Sequence, residues 1–347
     1  LTPENIWSWV KLQVMGAGTG DGFPVAITGS NVYESNFTAY NGDAVILSDT
    51  ALTMLSPSGK ELLSLRHSLS EPALCASHGK YLLYNAGSTG FLLLSGTEAA
   101  VNAAAEKEIM AGAVSREGKF ALGLQGSDGA SELNVYLKNG QLQYNYKFAK
   151  DYITAIALNR DATRGAVCTV RSEKGEMVSK VTVLDFSQPD PVASFETRGN
   201  LLVGASWEEN GALYAVGDSA LLIAGESDLA FTEYPYGGRQ LTSFHLEGGR
   251  ALVSVSAYEH AGPSTLLVYR GNGEPVKYEA EERIQCISVS GGTAGLLIGT
   301  QAVFVDYSTG TEQGRVEVGS DAKAIALQNE RTAYVLGVSE VRTASLE

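Results

Sequence analysis

The amino-acid sequence predicts an all-β fold, an eight-bladed β-propeller, on three observations. Tyr, Val, Leu, Ser and Thr are common and Gly occurs 39 times, whereas charged residues make up only 18% of the chain, a composition that favours strands over solvated helices. A tight turn recurs about every 41 residues, a period typical of four-stranded propeller blades. The last repeat has room for only three strands, so an N-terminal strand is expected to close the last blade.

Residues 1–22 are predicted to form a short helix and a glycine-rich lead-in ahead of the ring. Thr2 can cap a helix over 2–15, Pro3 suits its first turn and Glu4 suits its positive end. The segment 16–22, GAGTGDG, ends this helix and lacks the strand-then-helix context of a dinucleotide-binding fingerprint. The propeller domain is therefore predicted to cover 23–347.

The repeat unit is clearest between Tyr152 and Glu196, where turn residues separate four short runs of alternating apolar residues. In every repeat the first and second runs meet at a tight turn, and its Gly, Asn and Asp residues supply the positive φ that hairpins need. Eight such turns predict eight blades; a seven-bladed ring, which needs a period of roughly 46 residues or one repeat outside the ring, is the alternative. The turns fall at Asn41-Gly42, His78-Gly79, Glu117-Gly118, Asp161-Ala162, Asn210-Gly211, Gly248-Gly249, Gly291-Gly292 and Asn329-Glu330.

Each predicted blade has apolar inner runs and a more polar last run, as expected if the outer strand meets water. Phe23–Thr28 is expected to pair beside the segment near Val341–Leu346 and to complete the last blade. The Ala- and Glu-rich run 98–108 has helix propensity, so an irregular or helical substitute is expected for the outer strand of the second blade. The predicted blades are 31–72, 73–108, 109–151, 152–200, 201–240, 241–283, 284–320, and 321–347 together with 23–29.

Composition also limits the partners. A net charge of −14 without a basic stripe repels phosphate backbones, which argues against nucleic acid as a partner. Cys75, Cys168 and Cys286 lie in separate apolar runs without metal or disulfide spacing, and are expected to be small buried side chains. No apolar run is long enough to span a bilayer. Because the chain begins at Leu1, a signal peptide or membrane anchor ahead of it is an expectation.

The blade order and spacing resemble the eight-bladed quinoprotein-like and BamB-like propellers and, more loosely, the YVTN and WD40 repeats. With a lead-in that reads TPENI and then GDGFP, the chain is similar to a family of uncharacterised propellers from Gram-positive Firmicutes. This resemblance implies an N-terminal membrane anchor, a domain outside the cytoplasm and no known activity. The quinoprotein docking motif is matched only in part: Asp306, Thr309 and Gly310 fit, but Gly314 stands where the motif has Trp.

Catalytic and cofactor signals are weak. Only Trp207 lies in the ring, too few tryptophans for a quinone site, so no cofactor is expected. The four histidines, His67, His78, His245 and His260, show no metal-ligand spacing. No GxSxG nucleophile elbow occurs. The sequence therefore predicts neither a metal site nor catalytic residues.

The best functional signal is loop length on one face of the ring. Connections between second and third strands are long at 126–131, 171–177 and 257–264, and the between-blade segment 234–240 projects on the same side. Binding residues often lie on such loops of a rigid scaffold, and Tyr and Arg are favoured at binding hot spots. The candidate ligand- or partner-binding residues are Tyr234, Tyr236, Arg239, Tyr258 and His260.

These features predict a non-catalytic, extracytoplasmic and monomeric module that binds a protein, a peptide or a cell-wall ligand, or acts as a scaffold. The alternative is a hydrolase or lyase that acts on a polysaccharide or peptide in the axial channel. That activity would need carboxylates or histidines with perturbed pKa values at one mouth of the channel. A third hypothesis is a spacer whose surface carries no pocket.

Overall fold

The predicted alternation of apolar runs forms thirty-two β-strands in the computed structural model, which describes residues 20–225 and 227–347. The strands form eight four-stranded antiparallel sheets, and each sheet contains strands that follow one another in the sequence, apart from the last. These sheets are the blades of an eight-bladed β-propeller. The eight-bladed prediction is confirmed, and the predicted blade limits match the observed sheets, except that β6 and β22 each begin one residue earlier than predicted, at Pro72 and Gln240.

In each of blades 1 to 4 the strands run in order from the inner strand to the outer strand. Blade 1 contains β2 (Val32–Tyr40), β3 (Asp43–Ser48), β4 (Ala51–Leu55) and β5 (Glu61–Arg66), and blade 2 contains β6 (Pro72–Ser77), β7 (Lys80–Asn85), β8 (Gly90–Ser95) and β9 (Glu98–Ala104). Blade 3 contains β10 (Ile109–Val114), β11 (Phe120–Gln125), β12 (Ser131–Tyr136) and β13 (Leu142–Phe148), and blade 4 contains β14 (Tyr152–Leu158), β15 (Arg164–Glu173), β16 (Glu176–Asp185) and β17 (Ala193–Arg198).

Blades 5 to 7 repeat this order, and blade 8 borrows its outer strand from the start of the described chain. Blade 5 contains β18 (Leu202–Trp207), β19 (Leu213–Gly217), β20 (Ala220–Ala224) and β21 (Phe231–Pro235), and blade 6 contains β22 (Gln240–Glu247), β23 (Arg250–Ser256), β24 (Ser264–Tyr269) and β25 (Val276–Ala280). Blade 7 contains β26 (Ile284–Ser290), β27 (Thr293–Ile298), β28 (Gln301–Asp306) and β29 (Thr311–Glu317), and blade 8 contains β30 (Ala324–Asn329), β31 (Thr332–Leu336), β32 (Glu340–Ser345) and β1 (Val25–Ala26).

The ring closes at blade 8 by a short seam between the two ends of the domain. Val25 pairs with Val341 and Ala26 with Glu340, and the amide of Ile27 donates to the carbonyl of Ser339 at 3.0 Å. This pairing covers the edge that β32 would otherwise expose. The predicted closure by an N-terminal strand is confirmed.

The burial gradient across a blade follows the apolar-to-polar gradient of the sequence. Every residue of β4 and β20 is buried, whereas β5 and β21 alternate between exposed and half-buried residues. The cores lie between neighbouring blades, where the apolar faces of adjacent sheets meet. Replacing a fully buried leucine of such a core with alanine typically costs roughly 2–5 kcal/mol, so the sheets depend on their neighbours for stability.

Hydrogen bonds from cysteine thiols of the inner strands join neighbouring blades. The Cys75 thiol donates to the carbonyl of Gly112 at 3.1 Å, and the Cys286 thiol to that of Ile325 at 3.5 Å. Burial raises the pKa of the Cys75 and Cys168 thiols to about 12. Cys168 and Cys286 are buried, as predicted, whereas Cys75 is half-buried.

The prediction for the outer strand of blade 2 is wrong. Residues 98–104 form the regular strand β9, which pairs with β8 from Ser95–Glu98 to Gly90–Ala104 around one bulge. Similar bulges interrupt the outer strand pairs of blades 1, 3 and 7, so the blade geometry overrides helix propensity here. The predicted helix over 2–15 lies outside the described residues, and no helix of the described part is suited to spanning a membrane.

Candidate functional site

The blade topology gives the ring two distinct faces. The connections between second and third strands and those between blades lie on one side, here the loop face. The hairpin turns between first and second strands and between third and fourth strands lie on the other side, here the turn face. The eight inner strands surround the axial channel that joins the two faces.

Two of the five predicted binding residues are exposed on the loop face. Tyr258 and His260 lie in the connection between β23 and β24. Tyr258 is 57% exposed, and an added Cβ at Gly262 would lie 2.7 Å from its ring, so the glycine allows the loop to fold tightly against the tyrosine. The side chain of His260 is 87% exposed, and its Nε2 lies 3.9 Å from a carboxylate oxygen of Glu259.

Tyr236 lies in a connection between blades on the loop face, as expected, but its expected exposure is wrong. The side chain is 1% exposed and packs with Tyr214, Val253 and Leu267 in the core between blades 5 and 6. Its hydroxyl is buried without a hydrogen-bond partner within the described residues, and burial raises the pKa of the phenol. A buried side chain of this kind cannot contact a ligand.

Tyr234 and Arg239 also serve packing between blades 5 and 6, against expectation. The Tyr234 hydroxyl donates to Oδ1 of Asn272 at 3.2 Å and accepts from the amide of Gly273 at 3.0 Å, which directs it towards the turn face of blade 6. The Arg239 guanidinium donates to the carbonyl of Tyr236 and to the hydroxyl of Thr265, both at 3.0 Å. The five residues therefore do not form one exposed patch.

A different set of apolar side chains surrounds the channel mouth on the loop face. Tyr33, Tyr152 and Val203 stand at the start of the inner strands of blades 1, 4 and 5, and are 49%, 49% and 40% exposed. The sequence analysis assigned apolar residues of these runs to the core. The missed signal is their position at the first or second residue of the inner strand, at the open end of the channel.

Blade 4 adds a rigid, charged arm to the loop face. Its strands β15 and β16 have ten residues each and pair as far as Glu173 and Glu176, with positive φ at Lys174 and Gly175 in the turn. Arg171 lies at the base of the arm and binds carboxylates of Asp151, Glu173 and Glu196 at 3.2, 2.9 and 2.9 Å. These contacts raise the pKa of the Arg171 guanidinium, which stays charged at any ordinary pH.

The turn-face mouth of the channel holds a polar cavity of about 600 Å³ lined by the turns of blades 1, 2, 5 and 6. Glu209 of blade 5 accepts a hydrogen bond from Arg116 of blade 3, and its Oε1 lies 3.7 Å from Nε2 of His78 in blade 2. The hydrogen bond with Arg116 lowers the pKa of Glu209. Because blade 5 is a neighbour of neither blade 2 nor blade 3, the contacts span part of the channel mouth.

The carboxylates with raised pKa values are not arranged as a catalytic pair. Burial raises the pKa of Asp43 to about 6, and the titratable groups that interact with it are the neutral phenols of Tyr81 and Tyr334. Burial also raises the pKa of Glu34, which contacts Cys286 two blades away. Within the described part, no group of His, Cys, Asp and Glu lies close enough to hold a metal ion. This geometry does not favour the hydrolase or lyase alternative.

Solved structures show the same architecture at low sequence identity. The chain is similar to the computationally designed Ika8 protein, with a TM-score of 0.65 and 14% identity over 94% of this chain and 98% of that chain. It is also similar to the quinohemoprotein alcohol dehydrogenase ADHIIG from Pseudomonas putida HK5, with a TM-score of 0.63 and 8% identity over 96% of this chain and 77% of that chain. A third similar structure is the β-propeller domain of Cps50 (Swd1) from Myceliophthora thermophila, with a TM-score of 0.55 and 11% identity over 94% and 100% of the two chains.

These likenesses show the fold alone, because each identity is below the level at which function is shared. No curated protein matches the sequence. Residues 25–345 match a family model described as a family of unknown function, DUF5711.

Proposed function

The chain belongs to the DUF5711 family of unknown function, and from its structure we propose that it is a non-catalytic binding or scaffold module that recognises a protein or peptide through its loop face. The ring supplies a rigid support, and the partner contacts the side chains that rise from it. This assignment rests on the placement of exposed apolar residues.

The loop face carries most of the exposed large apolar side chains of the described residues. Five of seven lie there, whereas Leu142 lies beside a hairpin turn of the turn face and Val192 beside the turn that precedes β17. A soluble surface exposes single apolar residues without consequence, but several on one face of a scaffold support an interaction site. The five are Tyr33, Tyr152, Val203, Tyr258 and Val338.

The surroundings of these residues suit an interface. Tyr33, Tyr152 and Val203 border the channel mouth, and the charged arm of blade 4 stands beside Tyr152, where Arg171 contacts the adjacent Asp151. Binding interfaces combine an apolar, aromatic centre with a charged rim, and tyrosine is a frequent hot-spot residue. The loop face offers both within one rigid frame.

The test compares matched tyrosine and leucine variants of the full chain. Tyr152→Ala and Tyr258→Ala are expected to lower the affinity for a captured partner at least roughly ten-fold, because hot-spot truncations cost more than about 1.4 kcal/mol. Leu142→Ala, with 51% exposure at the turn face, is the control and should leave capture unchanged. The partner is isolated from the source cells on immobilised protein, identified by mass spectrometry, and titrated as a purified component.

Two results would contradict this assignment. One is equal affinity of the purified partner for wild type and both tyrosine variants. The other is a loss of affinity in Leu142→Ala as large as in the tyrosine variants. Melting temperatures near that of the wild type are required for every variant, since a partly unfolded protein also loses its partner.

We further propose that the module acts outside the cytoplasm, as a monomer, and that its ligand is associated with the cell wall or the cell surface. The support is the resemblance of the lead-in and blades to Firmicutes propellers with an N-terminal anchor. Fractionation of cells that express the natural full-length gene, with protease added to intact cells, tests the location. Light scattering of the purified chain tests the oligomeric state.

A further inference from the structure

Five of the nine residues that line a groove on the turn face, on the opposite side from the proposed interface, are cations. The groove has a volume of about 680 Å³ and lies across the turns of blades 2, 3 and 4. Leu137 is its one apolar lining residue and Glu117 its one carboxylate. We refer to this feature as the cation groove, and its cations are Lys80, Arg116, Lys119, Lys138 and Arg160.

The positive charge of the groove contrasts with the negative net charge of the whole protein. The chain carries a net charge of −14, yet five of its 25 lysines and arginines line this one groove beside a single glutamate. Among the described residues, Arg116 is the only one of the five with a carboxylate within 4.0 Å, and that partner is Glu209 at the channel mouth. The other four have no carboxylate within 4.0 Å among the described residues, and Glu209 and Asp161 act on Arg160 and Lys119 from a longer distance.

Packing brings these cations together from separate blades. An added Cβ at Gly118 would lie 3.7 Å from both Cβ of Lys138 and Cδ of Lys80, so the two lysine stems converge over this glycine from blades 3 and 2. The Lys80 ammonium donates to the Ser95 hydroxyl at 2.6 Å. The Lys119 ammonium donates to the carbonyl of Asp161 at 3.1 Å, which brings it beside Arg160 of blade 4. The cations of the groove therefore come from three blades that pack together, and not from one run of adjacent lysines.

From this arrangement we propose that the cation groove binds a short linear phosphate chain. The cations extend from the inner hairpin turns to the outer turn at Lys138, a distance of about two strand spacings, or ~10 Å. An extended acidic peptide presents a carboxylate to one face only every ~7 Å, whereas a phosphate chain carries a charge on every phosphorus. The density of charge in the groove therefore matches phosphate better than a peptide.

The surrounding negative charge restricts the length of the ligand. Charges beyond about 8 Å are largely screened at physiological ionic strength, so a ligand that fits inside the groove feels mainly its cations. A longer polyanion would extend beyond the groove over a protein of net charge −14 and be repelled by it. A short chain such as tripolyphosphate is the preferred ligand, and a long nucleic-acid backbone is not.

The first experiment titrates sodium tripolyphosphate into the full chain by calorimetry at low and physiological salt. Lys138→Gln and Arg160→Gln are each expected to weaken binding roughly ten-fold, since each removes one charge-assisted contact to the anion. Within the described residues neither side chain has a carboxylate within 4.0 Å, and Arg160 acts on Glu209 from a longer distance, so both variants are expected to keep the wild-type fold. Lys147→Gln, an exposed lysine of β13 outside the groove, is the matched control and should bind as the wild type does.

A variant that is expected to bind more tightly distinguishes the loss of a binding contact from misfolding. Glu117→Gln removes the one carboxylate that lines the groove and is expected to tighten binding several-fold, with a weaker effect at high salt. A damaged fold would not produce tighter binding. A loop-face variant, Tyr258→Ala, should leave phosphate binding unchanged, which separates this site from the proposed partner interface.

Three results would overturn the proposal. The first is no heat of binding with millimolar tripolyphosphate at low salt. The second is equal affinity in wild type, Lys138→Gln and Arg160→Gln. The third is tighter binding of a hexaglutamate peptide or of a long oligothymidylate than of tripolyphosphate, since either result would assign the groove to another class of ligand.

Discussion

At the scale of single residues, the tyrosines of blades 5 and 6 show how one residue type serves opposite purposes. Tyr214 and Tyr236 lie in the same core, and both are nearly inaccessible to water. The Tyr214 hydroxyl donates to the carbonyl of Gly249 at 3.0 Å and accepts from the amide of Gly271 at 2.7 Å. The Tyr236 hydroxyl has no such partner within the described residues. We therefore expect the Tyr214 hydroxyl to stabilise the fold and the Tyr236 hydroxyl to destabilise it or to contribute nothing.

This difference gives a matched pair of phenylalanine variants. Tyr214→Phe should lower the free energy of unfolding by about 1–2 kcal/mol, because the amide of Gly271 loses its acceptor and the carbonyl of Gly249 keeps only its bond from Asn210. Tyr236→Phe should leave stability unchanged or raise it, because it removes a buried hydroxyl that makes no hydrogen bond. Urea titration of both variants measures the two values, and an equal loss of stability in both would contradict the assignment.

The same residues explain why the candidate site was only partly predictable. Tyr234 and Tyr236 are two positions apart in a strand-like segment, so the alternation of strand side chains predicts that they share a side. The sequence does not tell whether that side meets solvent or blade 6, and the structure turns it towards blade 6. Tyr258 and His260 lie in a loop far from the core, and their exposure followed from loop length alone.

At the scale of elements, turn chemistry and repeat length were sufficient to predict the blades. His78 has a φ of 47° in its hairpin turn, a conformation that glycine normally supplies, and the period alone had placed a turn there. The regular strand β9 was not predicted because its Ala- and Glu-rich composition favours a helix. In the structure the segment forms a strand because it pairs with the otherwise open edge of β8. The cation groove was invisible in the sequence, since its charges come from three blades.

The arm of blade 4 gives a test of an element. Arg171→Met is expected to destabilise the protein by about 1 kcal/mol, at the low end for charge-assisted hydrogen bonds because water screens the contacts. It leaves the carboxylates of Asp151, Glu173 and Glu196 without their shared cation. Hydrogen exchange should therefore accelerate at the amides of 171–177.

The control for this experiment is another arginine in an ion pair. Arg315 binds Glu312 at 2.7 Å, but its side chain is 51% exposed against 18% for Arg171. Arg315→Met should cost less than about 0.5 kcal/mol. A larger effect at Arg315 than at Arg171 would refute a structural role for the network of the blade 4 arm.

At the scale of the whole molecule, the seam at blade 8 determines whether the ring is closed. The sheets of the other seven blades are built from consecutive strands, but the sheet of blade 8 depends on contacts between residues about three hundred positions apart. Phe23, Val25 and Ile27 pack against the core that joins blades 7, 8 and 1. The seam therefore contributes buried apolar surface as well as its hydrogen bonds.

Removing the seam should loosen the whole ring. A chain that begins at Asn31 lacks β1 and exposes the edge of β32, and its melting temperature should fall by at least about 5 °C relative to a chain that begins at Gly20. The free edge should also promote self-association. Calorimetry and light scattering of the two chains measure both effects, and identical melting temperatures would show that closure contributes nothing.

The route of the chain into and out of the seam fixes the orientation of the molecule. The amide of Gly22 donates to the carbonyl of Ser58 at 3.1 Å, and that of Leu346 to the carbonyl of Arg331 at 2.9 Å, so both ends of the described chain emerge at hairpin turns on the same side, in neighbouring blades. Any tether continuing from either end would hold the ring by its underside. Tyr33, Tyr152 and Tyr258 would then face away from the attachment point, towards a partner that approaches from the opposite side.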